Sequence, residues 1–203
     1  MKLVIMTKST FFVEEDKILT ALFEEGMDNL HISKRDHSPQ YVERLLSLIP
    51  TEYHRFISVH HNFYLNEKYS LAGIHYDADE MIHEMVNNRG KISKTCTDIM
   101  KLKYMKKQYR YIFLKNLNDS IEFPNEKRTI STSELIELKK QGLLGRHIYA
   151  MGGIVLDDIP KLKDFGFEGV VICGDLWKHF DIHCDKDFHN VITHFKKLQQ
   201  AVQ

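Results

Sequence analysis

Short apolar runs of strand length alternate with longer amphipathic stretches along the whole chain, the pattern of an α/β protein rather than an all-α or all-β one. Leu3–Met6 predicts a first strand, and Val13–Glu25 a helix with Ile18, Leu19, Leu22 and Phe23 on one face and Gly26 as its stop. Asn29–Ile32 predicts the second strand. Ser38-Pro39 offers a cap and a first-turn proline, so a helix follows with Val42, Leu45, Leu46 and Ile49 inward and Pro50 at its end. Phe56–Val59 and Leu71–His75 predict the third and fourth strands, joined by a Tyr64–Tyr69 segment with room for only a turn or two of helix. Asp79–Asn88 predicts the next helix, Lys91–Ser93 a short fifth strand, and Cys96–Lys107 a basic helix with Ile99, Leu102 and Met105 on one face. Tyr111–Leu114 predicts the sixth strand, followed by the longest irregular stretch, Lys115–Ile130. A helix over Ser133–Gln141 is opened by Ser131-Thr132-Ser133-Glu134 and ended by Gly142. His147–Ala150 and Gly169–Ile172 predict the last two strands, with Leu156–Phe165 between them and Phe188–Val202 as the closing helix.

Eight strand–helix units in 203 residues match the lower size limit of a (β/α)₈ TIM barrel, and an open doubly wound sheet accommodates so many equal repeats less economically. No linker or compositional break divides the chain, so a single domain over residues 1–203 is expected. A barrel places its chemistry at the C-terminal ends of its strands. That rule directs attention to His31–Arg35, His60–Asn62, His75–Glu80, Ser93–Thr95, Lys115–Glu122, Met151–Ile154 and Cys173–Asp175.

Composition narrows the function classes. Lys+Arg and Asp+Glu each count 28, so no global positive field exists to hold a nucleic acid or an anionic membrane. No apolar run approaches the roughly 18 residues of a spanning helix, and Lys8 interrupts the N-terminal apolar run too early for a signal peptide, which predicts a cytoplasmic protein. Three cysteines, Cys96, Cys173 and Cys184, show no CxxC spacing and are read as reduced thiols.

Gly152-Gly153 after the seventh strand and Cys173-Gly174-Asp175 after the eighth put small residues in the two loops where barrel enzymes commonly hold a phosphate. Without a Cβ, backbone N–H groups approach a phosphate oxygen closely. Ala150-Met151-Gly152-Gly153-Ile154, followed by Gly166-Phe167-Glu168-Gly169-Val170-Val171, resembles the thiamine phosphate synthase (thiamine-phosphate pyrophosphorylase) family and its sister, the thiazole tautomerases. Leu30-His31-Ile32 lies where that family carries its second-strand motif, and Gly73-Ile74-His75 matches its G-[IV]-H at the fourth. The resemblance implies a (β/α)₈ barrel that joins hydroxymethylpyrimidine diphosphate to thiazole phosphate with Mg²⁺, releasing diphosphate. The partners it implies are small phosphorylated heterocycles, with neither nucleic acid nor membrane.

Carried over residue by residue, the resemblance implies a phosphate cradle at Gly152, Gly153, Cys173 and Gly174, and catalytic roles for His31 and Ser93. The family's second-strand Arg is Ser33 here, which leaves Lys34 and Arg35 as replacement cations. The family's Asn-Asp or Asp-Asp pair after the third strand is His60-His61-Asn62, and its second metal carboxylate, a few residues beyond G-I-H, matches Glu80 or Asp79. His60, His75, Ser120 and Glu122 are the implied substrate-binding residues, the diphosphate-binding Lys falls near Phe123, and Thr95 stands where tautomerases place a catalytic histidine. A divergent member acting on or binding another phosphorylated heterocycle is the alternative reading.

Twelve histidines invite a transition-metal reading of His31, His60 and His75, against mutual hydrogen bonding or contact with substrate. Hydrogen bonding is the favoured reading, and His179, His183, His189 and His194 are expected on the solvated surface. Lys101, Lys103, Lys106, Lys107 and Arg110 with Tyr104 and Tyr109 make one basic cluster, read as the solvent face of an outer helix. Trp177 with Leu176 and Phe180 suits either core packing or a subunit contact, which leaves a homo-oligomer open.

Overall fold

The computed structural model describes residues 1–35, 37–80, 92–181 and 188–203. The strands are β1 (Lys2–Met6), β2 (Leu30–Ile32), β3 (Ile57–His60), β4 (Gly73–Tyr76), β5 (Ile92–Cys96), β6 (Ile112–Leu114), β7 (Ile148–Ala150) and β8 (Gly169–Ile172). All pair in parallel and in chain order, and β1 closes on β8 with Lys2 opposite Gly169 and Ile5 opposite Ile172. The result is the expected single (β/α)₈ barrel. The helices are α1 (Glu15–Glu24), α2 (Pro39–Leu48), α3 (Tyr64–Lys68), α4 (Leu102–Met105), α5 (Thr132–Lys140), α6 (Ile159–Phe165), α7 (Gly174–Trp177) and α8 (His189–Val202).

Strand alternation sorts the core into two populations. Ile5, Leu30, Ile32, Ile57, Val59 and Ile112 point outward and are sealed under the helices with Leu19, Leu22, Leu46 and Phe195. Val4, Tyr111, Phe113, Tyr149 and Val171 form a separate cluster inside the barrel. Barrel interiors are ordinarily filled by branched apolar side chains. Here the interior also takes His31, Ser58, His60, His75, Ser93 and Thr95, all buried. Gly169 makes room for this filling, because a Cβ there would stand 2.3 Å from the Tyr149 ring.

Several elements differ from expectation for local reasons. A 3₁₀ turn over Thr51–Phe56 takes Phe56 out of β3, so that strand runs one residue further, to His60. The expected helix from Cys96 is replaced by the end of β5, because Thr95 and Cys96 pair with Phe113 and Leu114. The Asp98 side chain then accepts from the Met100 N–H at 2.9 Å and turns the chain through a 3₁₀ segment into the single turn of α4. The capping box at α5 forms as its sequence implies, with Ser131 and Glu134 satisfying one another's backbone N–H. Of the expected helix Asp79–Asn88, residues beyond Glu80 lie outside the described residues, as do Lys91, His183 and Cys184.

Trp177 is a packing residue. Its indole N–H donates to the Met6 carbonyl at 2.7 Å and its ring meets Phe12 edge-on. His194 is not on the surface as expected: it is buried, with Nε2 2.7 Å from an Asp175 oxygen, tying α8 to the start of α7. Among the described residues no helix is long and apolar enough to cross a membrane.

Candidate active site

The floor of the barrel mouth is an oriented hydrogen-bond chain. His60 Nδ1 faces an Asp77 oxygen at 3.3 Å, His60 Nε2 lies 2.9 Å from His31 Nδ1, and His31 Nε2 lies 2.7 Å from the Tyr111 hydroxyl. A carboxylate only accepts, so His60 donates from Nδ1, His31 donates to His60, and Tyr111 donates to His31. His75 is satisfied in the same way, with Nδ1 2.8 Å from Ser93 Oγ and Nε2 2.9 Å from Thr95 Oγ1. Burial first, then the neighbouring His60, hold His31 and His75 well below the ordinary histidine range, so both rings are neutral. Every ring nitrogen in this trio has a partner that is not a metal.

Asp77, one residue past the end of β4, is the hub of the rim. Burial alone would raise its carboxyl, but the hydrogen bond from His60 and the Arg35 guanidinium outweigh that and hold it far below the usual carboxylate range. Arg35 donates to Asp77 Oδ2 at 2.7 Å. The Asp77 N–H donates to Glu80 Oε2 at 2.6 Å, and Glu80 Oε1 lies 3.0 Å from His61 Nδ1. His61 and Asn62 have φ of 63° and 50°, a left-handed turn that non-glycine residues seldom adopt and that aims the imidazole back across the rim.

Lys34 takes no part in this. Its ammonium is buried against both oxygens of Glu15, at 2.7 and 3.0 Å, and donates to the Thr10 carbonyl at 2.7 Å. Burial lowers Lys34 and pushes Glu15 up to about 7. The expectation that Lys34 replaces the family's arginine is therefore corrected: it is a structural cation joining β2 to α1, and Arg35 alone of that pair faces the cavity.

Opposite, the wall of β7 and β8 is glycine-rich, with Gly152, Gly153 and Gly174 among Met151, Ile154, Val171 and Cys173. Gly152 and Gly153 have φ of 99° and 60°, and the loop after β6 lies directly on them. A Cβ on Gly153 would sit 2.0 Å from the Asp119 carbonyl oxygen, and one on Gly174 2.6 Å from Ile121 Cβ. That loop carries Glu122 across the mouth, where Oε1 accepts from the Ser9 N–H and hydroxyl, each at 2.6 Å, and Oε2 lies 3.2 Å from Cys173 Sγ. Ser120 holds the loop's own turn, accepting from the Phe123 N–H at 3.0 Å. Between the two walls is a cavity of about 630 Å³.

Of the residues the sequence singled out, Arg35, His60, Asp79, Ser120, Glu122, Gly152, Gly153, Cys173 and Gly174 line that cavity. His31, His75 and Ser93 lie beneath its floor in the hydrogen-bond network just described, and Glu80 stands behind Asp77 and His61. Asp77 and Ser9 were missed. Asp77 had a signal, being the first carboxylate after Gly73-Ile74-His75, whereas Ser9 acquires its role only when the β6–α5 loop folds onto it.

The family resemblance implies a Mg²⁺ ion among these donors. Mg²⁺ takes near-octahedral oxygen ligands and binds imidazole poorly. Two groups of donors come together here, the buried trio His31, His60 and His75, and the rim group His61, Asp77 and Glu80. The first is satisfied internally, and the second mixes an imidazole with two carboxylates already engaged, Asp77 by Arg35 and Glu80 by the Asp77 N–H and His61. This set does not fit Mg²⁺.

Eight parallel strands with a polar cavity at their carboxyl ends define a TIM barrel of the enzymatic type, its site assembled from the strand-end loops. No family model and no curated protein matches the chain. Among solved structures, the thiamine phosphate pyrophosphorylase from Bacteroides thetaiotaomicron is 42% identical, with a TM-score of 0.85 over 99% of this chain and 97% of that one. A thiamine phosphate pyrophosphorylase from Pyrococcus furiosus shares the fold at 16% identity, covering 99% and 95% of the two chains with a TM-score of 0.73. A 3-hexulose-6-phosphate synthase shares it at 12% identity over the whole of both chains, with a TM-score of 0.65. The chain belongs to the thiamine phosphate pyrophosphorylase family, a transferase-like group.

Proposed function

We propose that this protein is a thiamine phosphate synthase-like transferase, joining hydroxymethylpyrimidine diphosphate to thiazole phosphate. The observation that carries the reading is the likeness to the Bacteroides enzyme across 99% of the chain, coupled to a cavity with one glycine-rich wall. In this reading the thiazole phosphate rests on the backbone of Gly152-Gly153 and Cys173-Gly174. Arg35 and Lys115, both on the cavity surface, take the departing diphosphate, Arg35 leaving Asp77 and Lys115 leaving Glu126, to which it is bonded at 2.7 Å. The bond from the pyrimidine methylene to diphosphate breaks and the thiazole nitrogen bonds to that carbon. Preorganised cations and dipoles supply the stabilisation such a charge-separating step requires. His31 and His75 act beneath the site, His31 by fixing the His60–Asp77 pair against which Arg35 is held.

Incubation with both substrates and a divalent ion, scored for thiamine phosphate by oxidation to fluorescent thiochrome, tests the reading. Turnover that falls in Arg35→Ala is expected. Binding of thiazole phosphate without turnover would favour the second reading, a member that binds or transforms another phosphorylated heterocycle. The specific observation on its side is Glu122, whose carboxylate occupies Ser9 and Cys173 at the mouth.

A further inference from the structure

A second cavity, of about 530 Å³, lies at the N-terminal ends of the strands, at the far end of the barrel from the mouth. Arg110, Arg146, His147 and Glu168, which precede β6, β7 and β8, line it, and Tyr111, Tyr149 and Phe195 give it aromatic walls. Strained backbone joins the two arginine segments. His147 has φ of 74°, a left-handed conformation that costs a non-glycine residue energy. Its Nδ1 donates to the Arg110 carbonyl at 2.7 Å and its N–H donates to Glu168.

Charge is arranged differently here from the mouth. Arg35 and Lys115 each hold a carboxylate, Asp77 and Glu126, whereas among the described residues neither Arg110 nor Arg146 forms an ion pair. Arg110 reaches only the Ala72 carbonyl, at 3.4 Å, and the face of the Tyr111 ring. Glu168 is neutralised by Lys2 at 3.1 Å and the terminal charges at Met1 and Gln203 offset one another, which leaves Asp28 alone against two guanidinium groups. Tyr149 supplies the independent observation. It is 2% exposed and lines the cavity, yet among the described residues its hydroxyl has no hydrogen-bond partner. A buried phenol ordinarily finds one. Burial, then the nearby Glu168, pushes this phenol above its ordinary value, so it is a donor at neutral pH.

We propose that this lower cavity is a binding site for a phosphomonoester, its phosphoryl group held by Arg110, Arg146 and the Tyr149 hydroxyl and its organic part laid against the aromatic walls. Two guanidinium forks and a phenol offer more donors than the two oxygens of a carboxylate accept together, and three phosphoryl oxygens suit them better. The rings argue for a ligand with an apolar body rather than for a bare inorganic ion. Barrel enzymes do their chemistry at the other end of the strands, so the role is binding and not a second reaction. The site shares no residue with the mouth and stands whether or not the proposed reaction does.

Calorimetric titration of the full chain with phenyl phosphate, inorganic phosphate and benzoate is the test. Phenyl phosphate should bind more tightly than either of the others, since it alone carries both the phosphoryl group and the ring. Arg110→Ala and Arg146→Ala, both at exposed positions, should each weaken it by about tenfold, and Tyr149→Phe by about fivefold. Arg35→Ala, at the mouth, should leave this binding unaltered. In the unsubstituted protein, phenyl phosphate should shield Arg110 and Arg146 from phenylglyoxal, mapped by mass spectrometry, a readout that no variant's folding can disturb. Benzoate binding as tightly as phenyl phosphate would overturn the choice of a phosphoryl ligand. Shielding confined to Arg35, with affinity indifferent to Arg110→Ala and Arg146→Ala, would place the ligand at the mouth and overturn the lower site. Absence of both heat and shielding at millimolar phenyl phosphate would overturn it as well.

Discussion

The two walls of the mouth are built from different materials. Around β7 and β8 the lining is small and uncharged, with Met151, Gly152, Gly153, Ile154, Val171, Cys173 and Gly174 on the cavity surface and the loop after β6 packed on its glycines. Around β2 to β4 the lining is side chain, with Ser33, Arg35, His60, Asp77 and Asp79 on the cavity surface. A side-chain wall changes its chemistry with each substitution, and one that carries His60-His61-Asn62 at the end of β3 does not suit a hard ion. Added bulk is therefore decisive on one wall and altered charge on the other.

The sharpest way to probe the side-chain wall is through its foundation. Lys34→Met leaves Glu15 buried without its cation and should cost about 3–5 kcal/mol, whereas Glu15→Gln with Lys34→Met should recover most of it. Denaturant melts of the three proteins decide, and a mild Lys34→Met phenotype joined to a large loss of diphosphate affinity would return Lys34 to the site. On the glycine-rich wall, Gly153→Ala drives a Cβ into the Asp119 carbonyl and should cost about 2–4 kcal/mol. It should also abolish calorimetric binding of thiazole phosphate, and retention of that binding would mean that the cradle lies elsewhere.

Acid should separate the walls next. His31 and His75 are neutral in the fold but protonate near pH 6.5 once unfolded, so the unfolded chain binds more protons below that value and stability falls as pH drops through it. Two such groups give a slope of up to about 2.7 kcal/mol per pH unit. Unfolding midpoints measured between pH 7.5 and 5 should show this slope, and His75→Gln should reduce it; a flat profile would mean that the rings are charged in the fold. The smallest effect on stability is expected from Arg35→Ala. Its pair with Asp77 is largely exposed, so stability should move by less than about 1 kcal/mol. Affinity for inorganic diphosphate should nevertheless fall about tenfold, and equal affinity would remove Arg35 from the diphosphate role.

What the sequence disclosed follows the same division. The barrel and its glycine loops were legible, because strand alternation and Gly152-Gly153 are local signals that tertiary structure seldom overrides. The α4 region was misjudged because Ile99, Leu102 and Met105 keep helical spacing whether or not β5 extends through Cys96, and only pairing with β6 decides that. Lys34 and Arg35 are adjacent in sequence and equivalent as charges. Which of them faces the cavity depends on Glu15, nineteen residues away on another element. The role of Asp77 was hidden for a similar reason, since its partners Arg35, His60 and Glu80 come from three different strand ends.

Glu122 gives ligand entry at the seam of β1 and β8 the character of an exchange. An anion that reaches the Ser9 hydroxyl and Cys173 must first dislodge a carboxylate already seated there, so its measured affinity records a difference between two anions rather than the attraction of one. Glu122→Gln, which removes the seated charge, should hold anions more tightly.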